Sequence, residues 1–267
     1  MTIHSPPPAL KRFGQHFLID PNIVRKILAE AAIRREETVF EIGPGRGVLT
    51  KKLCSVASHV IAVELDKKLV AYLSSICSQN NLDIQVGDAL EFPYEKLPLG
   101  TVVVANLPYY VSTSLLFKLL DHRSRISRMV LMLQLEVAKR LVAKPGSRDY
   151  GTLSVLSQYC ADLRLAFKIP SHCFRPKPNV DSAVVTLTLR PNKNEDATFD
   201  RDLIQIVRAA FSHRRKTLLN SFRDSGLMME AIQLALTSVG IDPKRRAETV
   251  TMQEFIDLTR AVRYHSL

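Results

Sequence analysis

The 267-residue sequence has no tryptophan, only four cysteines and only 10 glycines. No apolar run approaches the roughly 20 residues that a membrane-spanning helix needs. Each shortage excludes something. The cysteines, at positions 54, 77, 160 and 173, form no CxxC pair and have no histidine at ligand spacing. That argues against a disulfide framework or a zinc site; no metal is expected, and a reducing cytoplasm fits. The opening MTIHSPPPAL carries three prolines and no apolar core, so it does not read as a signal peptide. With 46% hydrophobic and 24% charged residues, the chain is no collagen-like, low-complexity or disordered polymer. Its length suffices for one large domain or two smaller ones with a real core. A soluble, cytoplasmic protein without membrane attachment is expected.

What is present in excess is positive charge: 37 basic against 26 acidic side chains, a net +11. Such an excess points to a polyanionic partner, because Lys and Arg that neutralise phosphates release counterions. The excess is uneven. Residues 1–139 hold 17 basic and 13 acidic groups, 140–190 hold 8 and 3, and 200–267 hold 11 and 8. Two clusters, Arg214-Arg215-Lys216 and Lys244-Arg245-Arg246, lie in the last stretch. The polyanion surface is therefore expected on the later strands and the C-terminal region.

Asp20-Pro21 reads as a helix start, with the apolar residues Ile23, Val24, Ile27, Leu28 and Ala31 on one face. Short β-rich runs then alternate with amphipathic stretches. Strands are predicted over 38–42, 59–63, 82–86, 101–105 and 129–133, and helices over 48–56, 69–77 and 112–120. This alternation implies a parallel sheet covered on both faces. The runs 163–169 and 183–189 are joined by a Pro-rich loop instead of a helix, which predicts an antiparallel pair at the sheet edge. The polar stretch 192–197 reads as a linker, after which only helical spacing appears (Leu203, Ile206, Val207, Ala210, Phe211, Leu218, Phe222). The expected organisation is a tail and covering segment over 1–19, an α/β catalytic domain over 20–192 and a small helical domain over 193–267.

The first predicted strand runs into Gly43-Pro44-Gly45-Arg46-Gly47. Glycines there let the backbone turn tightly and approach a ligand. Glu64 and Asp88 end the next two strands, placed to meet ribose hydroxyls and an adenine amino group. A dinucleotide-binding protein would share these features. Three details disfavour one: the spacing is GxGxG, Pro44 removes a backbone N–H, and Glu41 adds a negative charge beside the turn. A cationic nucleoside without phosphate, S-adenosyl-L-methionine, fits better. Taken singly, acids at strand ends merely cap helices; their ordered placement argues for a site.

Asn106-Leu107-Pro108-Tyr109 follows the most hydrophobic strand, at the edge where open α/β sheets bind ligands. The exocyclic amine of adenine is a poor nucleophile because its lone pair is delocalised into the ring. Two acceptors, the Asn106 side-chain oxygen and the Leu107 carbonyl, could hold its hydrogens while Pro108 fixes the turn and Tyr109 stacks on the base. Positioning would then supply most of the rate without a titrating base. The adenine must leave its stack to reach such a site. Phe174, in a loop stiffened by Pro176 and Pro178 and carrying Arg175 and Lys177 for phosphates, is the candidate for the opposing ring.

The segments GQHFL, EIGPGRGVLT, VELD, GDAL, NLPYYVSTSLL, FRPKPNVDSAVV, AFSHRRKTLLNS and IDPKRRAE occur in that order. Together they resemble the ribosomal RNA adenine dimethyltransferase family over nearly the whole chain, from Lys11 to about Leu258. The last two segments look like the branch that acts on 16S RNA, not the erythromycin-resistance branch that acts on the large subunit. The resemblance implies a Rossmann-like class I methyltransferase sheet with a helical appendage and S-adenosyl-L-methionine as methyl donor. It also implies dimethylation of two adjacent adenosines in a hairpin loop near the 3′ end of 16S rRNA, in the small ribosomal subunit or its precursor. Carried over by position, cofactor contacts fall on His16, Leu18, Gly43, Glu64, Asp88 and Asn106, with Gly45 in the turn. Asn106 to Tyr109 receive the target amine and Phe174 the far face of the base. Many bacterial members have Asn where this chain has His16. RNA contacts are expected at Arg175, Lys177, Arg214, Arg215, Lys216, Lys244, Arg245 and Arg246, and a monomer is expected. Three other readings remain open here: a large-subunit rRNA adenine methyltransferase of erythromycin-resistance type, a DNA adenine methyltransferase, and an rRNA-binding assembly factor in which catalysis is dispensable.

Overall fold

Asp20 accepts a hydrogen bond from the Asn22 N–H (2.8 Å) and so caps α1 (Pro21–Ala31), whose Ile23, Val24, Ile27 and Ala31 are buried. The computed structural model describes residues 5–10, 14–190, 197–213 and 215–265. The basic residues Lys11 and Arg12, the linker residues 192–196 and Arg214 lie outside the described residues. After α1 come β2 (Thr38–Ile42), α2 (Thr50–Cys54), β3 (His59–Glu64), α3 (Lys67–Ile76), β4 (Leu82–Val86), β5 (Thr101–Asn106), α4 (Ser112–Asp121) and β6 (Ile126–Gln134). The first strand, β1 (Phe17–Leu18), precedes α1 and pairs with β8 (Phe174–Arg175) as a separate two-stranded ladder. The helix expected over 48–56 shrinks to α2, because the glycine turn before it holds Gly45 and Gly47 at positive φ, outside the helical region.

The main sheet has seven strands in the order β4-β3-β2-β5-β6-β9-β7, with β7 (Ala161–Ile169) and β9 (Ser182–Leu189) antiparallel at one edge and the other five parallel. The chain runs outward from β2 to β4, then returns to β5 beside β2. Strand order therefore reverses between β2 and β5, the point at which open α/β sheets bind ligands. Alternation sorts the side chains by face. Val39, Val60, Val102, Val104 and Val130 join Ile23, Val24 and Ile27 of α1 in one core layer. Phe40, facing the other way, packs against Phe92 and Tyr94. A central parallel strand buried on both faces needs an unbroken apolar run, which the three valines of β5 provide.

Arg128 on β6 closes the base of this unit. Its guanidinium donates to the Ala31 and Ala32 carbonyls at the end of α1 (2.9 and 2.8 Å) and to both Glu37 oxygens (2.7 Å each). Arg128 holds the Glu37 carboxyl down to about 2. A carboxylate depressed in the folded state stabilises the fold above its unfolded pKa and loses that contribution as the pH falls. The wild type is therefore expected to lose about 1 kcal/mol from this solvent-screened pair between roughly pH 4.5 and pH 2. Glu37→Gln should lack that component in denaturant titrations across the same window. Parallel pH profiles for the two proteins would remove the assignment.

By its contacts the chain divides into two compact units, Met1–Ala138 with Ala161–Pro191, and Lys139–Cys160 with Asn192–Leu267. Residues 139–160, expected with the sheet, thus group with the later helices. Leu153, Val155 and Leu156 of α6 (Thr152–Cys160) are buried, and Tyr150 donates to the Val250 carbonyl (2.9 Å). The rest of this unit comprises α7 (Ala197–Ala210), α8 (Leu218–Arg223), α9 (Met229–Ser238) and α10 (Met252–His265), with Leu203, Phe222, Ile232 and Phe255 in its core. Among the described residues no helix is long and apolar enough to cross a membrane.

Candidate active site

The strand ends at the reversal point surround a cavity of about 790 Å³, counting its open mouth. Gly43 and Gly45 form one wall, Glu64 and Asp88 a second, and Asn106, Leu107, Pro108 and Tyr109 a third. Register explains the gathering. Ile42 lies level with Val63 and Ala105, and Glu64 with Val86, so four strands end on one line. The turn needs glycine for two reasons. At Gly45 φ is +57°, and a Cβ would come within 3.0 Å of the Phe17 ring.

Glu64 is 7% exposed, and its two oxygens accept the N–H groups of Gly45 (3.1 Å) and Asp66 (2.9 Å). Burial pushes its carboxyl above the usual carboxylate range. An ionised carboxylate can accept about four hydrogen bonds, so the two made here leave capacity for ribose hydroxyls. Asp88 is exposed and caps its own turn through the Leu90 N–H (2.9 Å). Glu41 corrects one expectation. It is 1% exposed and its Oε2 has no hydrogen-bond partner. Burial pushes its carboxyl up to about 8, aided by Glu64. Burial therefore works against the negative charge expected beside the turn, and a nearby cation would favour it.

Asn106 is held in one orientation. Its Nδ2 donates to the His16 carbonyl (3.1 Å), leaving Oδ1 without a donor among the described residues. The Leu107 N–H donates to the Met132 carbonyl (3.2 Å), whereas no donor among the described residues reaches the Leu107 carbonyl. Two acceptors on consecutive residues at the end of β5 therefore stand without a donor among the described residues. Tyr109, next to them, shares a hydrogen bond of 2.6 Å with the hydroxyl of Ser182, at the start of β9.

Two expected site residues lie elsewhere. Phe174 is 2% exposed and packs into the core with Leu18, Ile23 and Val184, so it is not a wall of the cavity. Its place in the ladder with β1 turns the ring inward. Leu18 is likewise buried; it borders only a smaller hollow of about 340 Å³ behind the glycine turn, shared with Glu41 and Arg46. Of the basic residues, Arg245 is committed internally, to both oxygens of Glu254 (2.5 and 3.2 Å) and to the Thr249 carbonyl. Lys216 pairs with Asp224 (2.8 Å). Arg175 and Lys177 in one unit, and Arg215, Lys244 and Arg246 in the other, are exposed and make no ion pair among the described residues.

Several residues of the site had not been expected. Gln15 lines the cavity and bonds to Asp66 Oδ2 (3.4 Å) while its Oε1 accepts the Leu10 N–H (2.8 Å). Arg46 reaches back to the Pro7 carbonyl (2.8 Å) and lies over the Phe17 ring. The N-terminal segment is thereby strapped across the glycine turn. Leu65 and Ala89 add apolar wall, and their positions directly after Glu64 and Asp88 were the available signal.

Known proteins share this arrangement. A family profile described as "Ribosomal RNA adenine dimethylase" matches residues 9–263. The chain is 42% identical over 266 residues to the "Ribosomal RNA small subunit methyltransferase A" of Moorella thermoacetica, covering 95% of this chain and 92% of that protein. Among solved structures, a dimethyladenosine transferase from Plasmodium falciparum superimposes with a TM-score of 0.82 at 27% identity, covering 94% of this chain and 99% of that one. The 23S rRNA methyltransferase ErmE, at 22% identity and a TM-score of 0.71 over 92% of this chain and 99% of that one, shares the class I methyltransferase fold. A matched profile over nearly the full length, together with the strand-end acids and the paired acceptors of Asn106 and Leu107, makes this chain a member of the ribosomal RNA adenine dimethylase family.

Proposed function

We propose that this protein uses S-adenosyl-L-methionine to dimethylate N6 of two adjacent adenosines in a hairpin loop near the 3′ end of 16S rRNA. The small ribosomal subunit or its precursor is the substrate, and the cytoplasm the site of action. The observation that carries this reading is the pair of acceptors without a donor among the described residues, Asn106 Oδ1 and the Leu107 carbonyl, on residues that line the cavity with Tyr109. Two acceptors are what an exocyclic amine with two hydrogens requires, and a ring or guanidinium donor would suit it less.

The cavity fits the cofactor chemically. A glycine turn that lets the backbone approach and an acid able to take two hydroxyls suit a ribose. When bound, the cofactor supplies an electrophilic methyl carbon on a positively charged sulfur. Glu64 holds the ribose, Asp88 the adenine amine, and Gly43 and Gly45 leave room for the backbone to approach. Asn106 and Leu107 hold the hydrogens of the target amine and aim its lone pair, and Tyr109 supports the base, a contribution of about 1–3 kcal/mol. Removing the acid should show this division. Glu64→Ala is expected to weaken cofactor affinity by at least about tenfold, read by calorimetric titration, since hydrogen bonds to charged groups contribute roughly 1.5–3 kcal/mol each. An unchanged dissociation constant would cancel the ribose assignment.

The helical unit supplies RNA contacts in this reading. Among the described residues expected to meet phosphate, Arg215, Lys244 and Arg246 make no ion pair, whereas Arg245 is structural. Reversing the charge of Arg215 and Lys244 together should weaken binding to small subunits and reduce the slope of affinity against salt by about two counterions. Unaltered binding would place the docking surface elsewhere. The whole proposal is tested by mass spectrometry of 16S rRNA from cells with and without the gene. Loss of both dimethyladenosines is expected, and retention of both would overturn it.

A further inference from the structure

Pro108 to Val111 form a turn closed by the Val111 N–H, which donates to the Pro108 carbonyl (3.2 Å). Its two central residues are both tyrosines, and the fold treats them differently. Tyr109 is fixed on the inside: its hydroxyl is shared with Ser182, and the His16 imidazole is stacked against its ring with centroids 5.5 Å apart. Tyr110 is 60% exposed, and its hydroxyl has no hydrogen-bond partner among the described residues. The ring nevertheless borders the cavity, together with Gly14 of the strap. A Cβ on Gly14 would meet Tyr110 Cδ1 at 3.5 Å, so one edge of the ring lies close against the strap's backbone and the rest faces water. A single exposed ring on a protein surface is ordinary. At the rim of a pocket for a nucleobase it is placed to stack. Extruding one base leaves the next base along the strand without a stacking partner, and a ring at the rim can take the vacated place. The same rim carries charge for the strand. Arg175 and Lys177 are exposed and flank Pro176, whose carbonyl accepts a hydrogen bond from the His16 ring beside the strap (2.7 Å).

We propose that Tyr110 is a stacking shelf for the base next to the target adenine: the target enters the cavity beside Tyr109, and its neighbour along the strand settles on the exposed face of Tyr110. This rests on the reading that the cavity receives an extruded adenine, and adds how the nucleotide left outside is held. Stacking is tolerant of base identity, so the shelf accepts whichever base adjoins the target. Two neighbouring adenosines can then be served in turn by one cavity without a second recognition site. The shelf is reached only after the target has left its stack, so it favours the extruded state and contributes little to the docking of the particle.

The test uses the full chain as wild type, Tyr110→Phe and Tyr110→Ala. Single-turnover methyl transfer is measured at saturating cofactor on small subunits reconstituted with unmethylated 16S rRNA, and cofactor affinity by calorimetry. Two further particles carry an abasic nucleotide in place of one or the other of the adjacent adenosines, so that transfer to the remaining one is read. On intact particles Tyr110→Ala is expected to slow transfer roughly ten- to hundredfold, the range of base–aromatic stacking, with cofactor affinity unchanged. Tyr110→Phe keeps the ring and should transfer like wild type. On at least one of the two abasic particles the ratio of wild-type to Tyr110→Ala rates should fall to about one, because the base that used the shelf is gone; a merely structural role would leave the ratio unmoved. The proposal is overturned if Tyr110→Ala matches wild type on intact particles, if Tyr110→Phe is as slow as Tyr110→Ala, or if the ratio stays as large on both abasic particles as on the intact one. It is also overturned if a loss of cofactor affinity accounts for the defect, or if wild type transfers nothing to either abasic particle, since one lost stack slows the reaction without abolishing it. A wild type inactive on intact particles would overturn the proposed function itself, whereas an active wild type with any of the other results would overturn this inference alone.

Discussion

Replacing Asn106 with alanine is expected to lower the single-turnover rate of methyl transfer by about 10²–10³, the usual loss when one preorganised polar group leaves a transition state. Cofactor and particle affinities should change by less than about tenfold. The expectation follows from how the amide is held. Its Nδ2 is tied to the His16 carbonyl, so Oδ1 has one direction in which to point, and no donor among the described residues takes it. An acceptor fixed before the substrate arrives needs no reorganisation when the amine begins to change shape. Asn106→Asp separates this from simple acceptor chemistry. Aspartate keeps an oxygen facing the cavity but sets its other oxygen against the His16 carbonyl, so the side chain must turn away. It should therefore be nearly as inactive as alanine. Full activity in Asn106→Asp would show that the tie to the strap is irrelevant, and equal collapse of both binding affinities in Asn106→Ala would remove the assigned role.

Gly47→Ala is expected to cost about 2–5 kcal/mol of folding stability, a large part of the 5–15 kcal/mol that a domain commonly has. Two terms add. The φ of +76° is a left-handed conformation that a side chain disfavours by about 1–2 kcal/mol. A Cβ there would also stand 2.5 Å from Leu73 Cδ2, and Leu73 is fully buried on α3, so its side chain must shift within the core. Overpacking of this kind costs typically 1–3 kcal/mol. Gly100→Ala is the control, because Gly100 has φ +80° and nothing within 4 Å of its would-be Cβ. Urea denaturation should show a small loss for Gly100→Ala and a much larger one for Gly47→Ala. Equal losses would mean that the clash is relieved and only the backbone term remains.

These two positions also mark what can be read in the sequence. The parallel strands were legible because buried strands must be apolar on both faces, as at Val102, Val103 and Val104. Each functional acid was legible because it interrupts such a run at its end, as Glu64 does. The chemistry of Asn106 and Leu107 followed from the same logic of position. The orientation of aromatic rings did not. Phe174 sits in a Pro-rich loop with no periodicity to say which way it faces, and its burial is decided by a two-residue ladder with β1, formed between segments more than 150 positions apart. The stack of His16 on Tyr109 depends on that same ladder. Pairing so short leaves no alternation to detect. Residues 139–160 were assigned to the sheet because α6 runs straight into β7 with no Gly or Pro between them, so nothing local signals a change of partner. Arg245 reads as one of three neighbouring cations, and only its distance to Glu254, nine residues later, separates it from Lys244 and Arg246.

The ladder of Phe17 with Arg175 has a consequence for how the protein is made. The glycine turn and all the acidic walls have been synthesised by residue 88, and Arg46 and Gln15 can already hold the strap near them, but the ladder that backs Phe17 and Leu18 cannot form until residue 175 has left the ribosomal tunnel. A nascent chain between those two lengths would present a half-built pocket that is open on one side. Methyl-donor capture should therefore begin late in translation, well after the parallel strands have found one another.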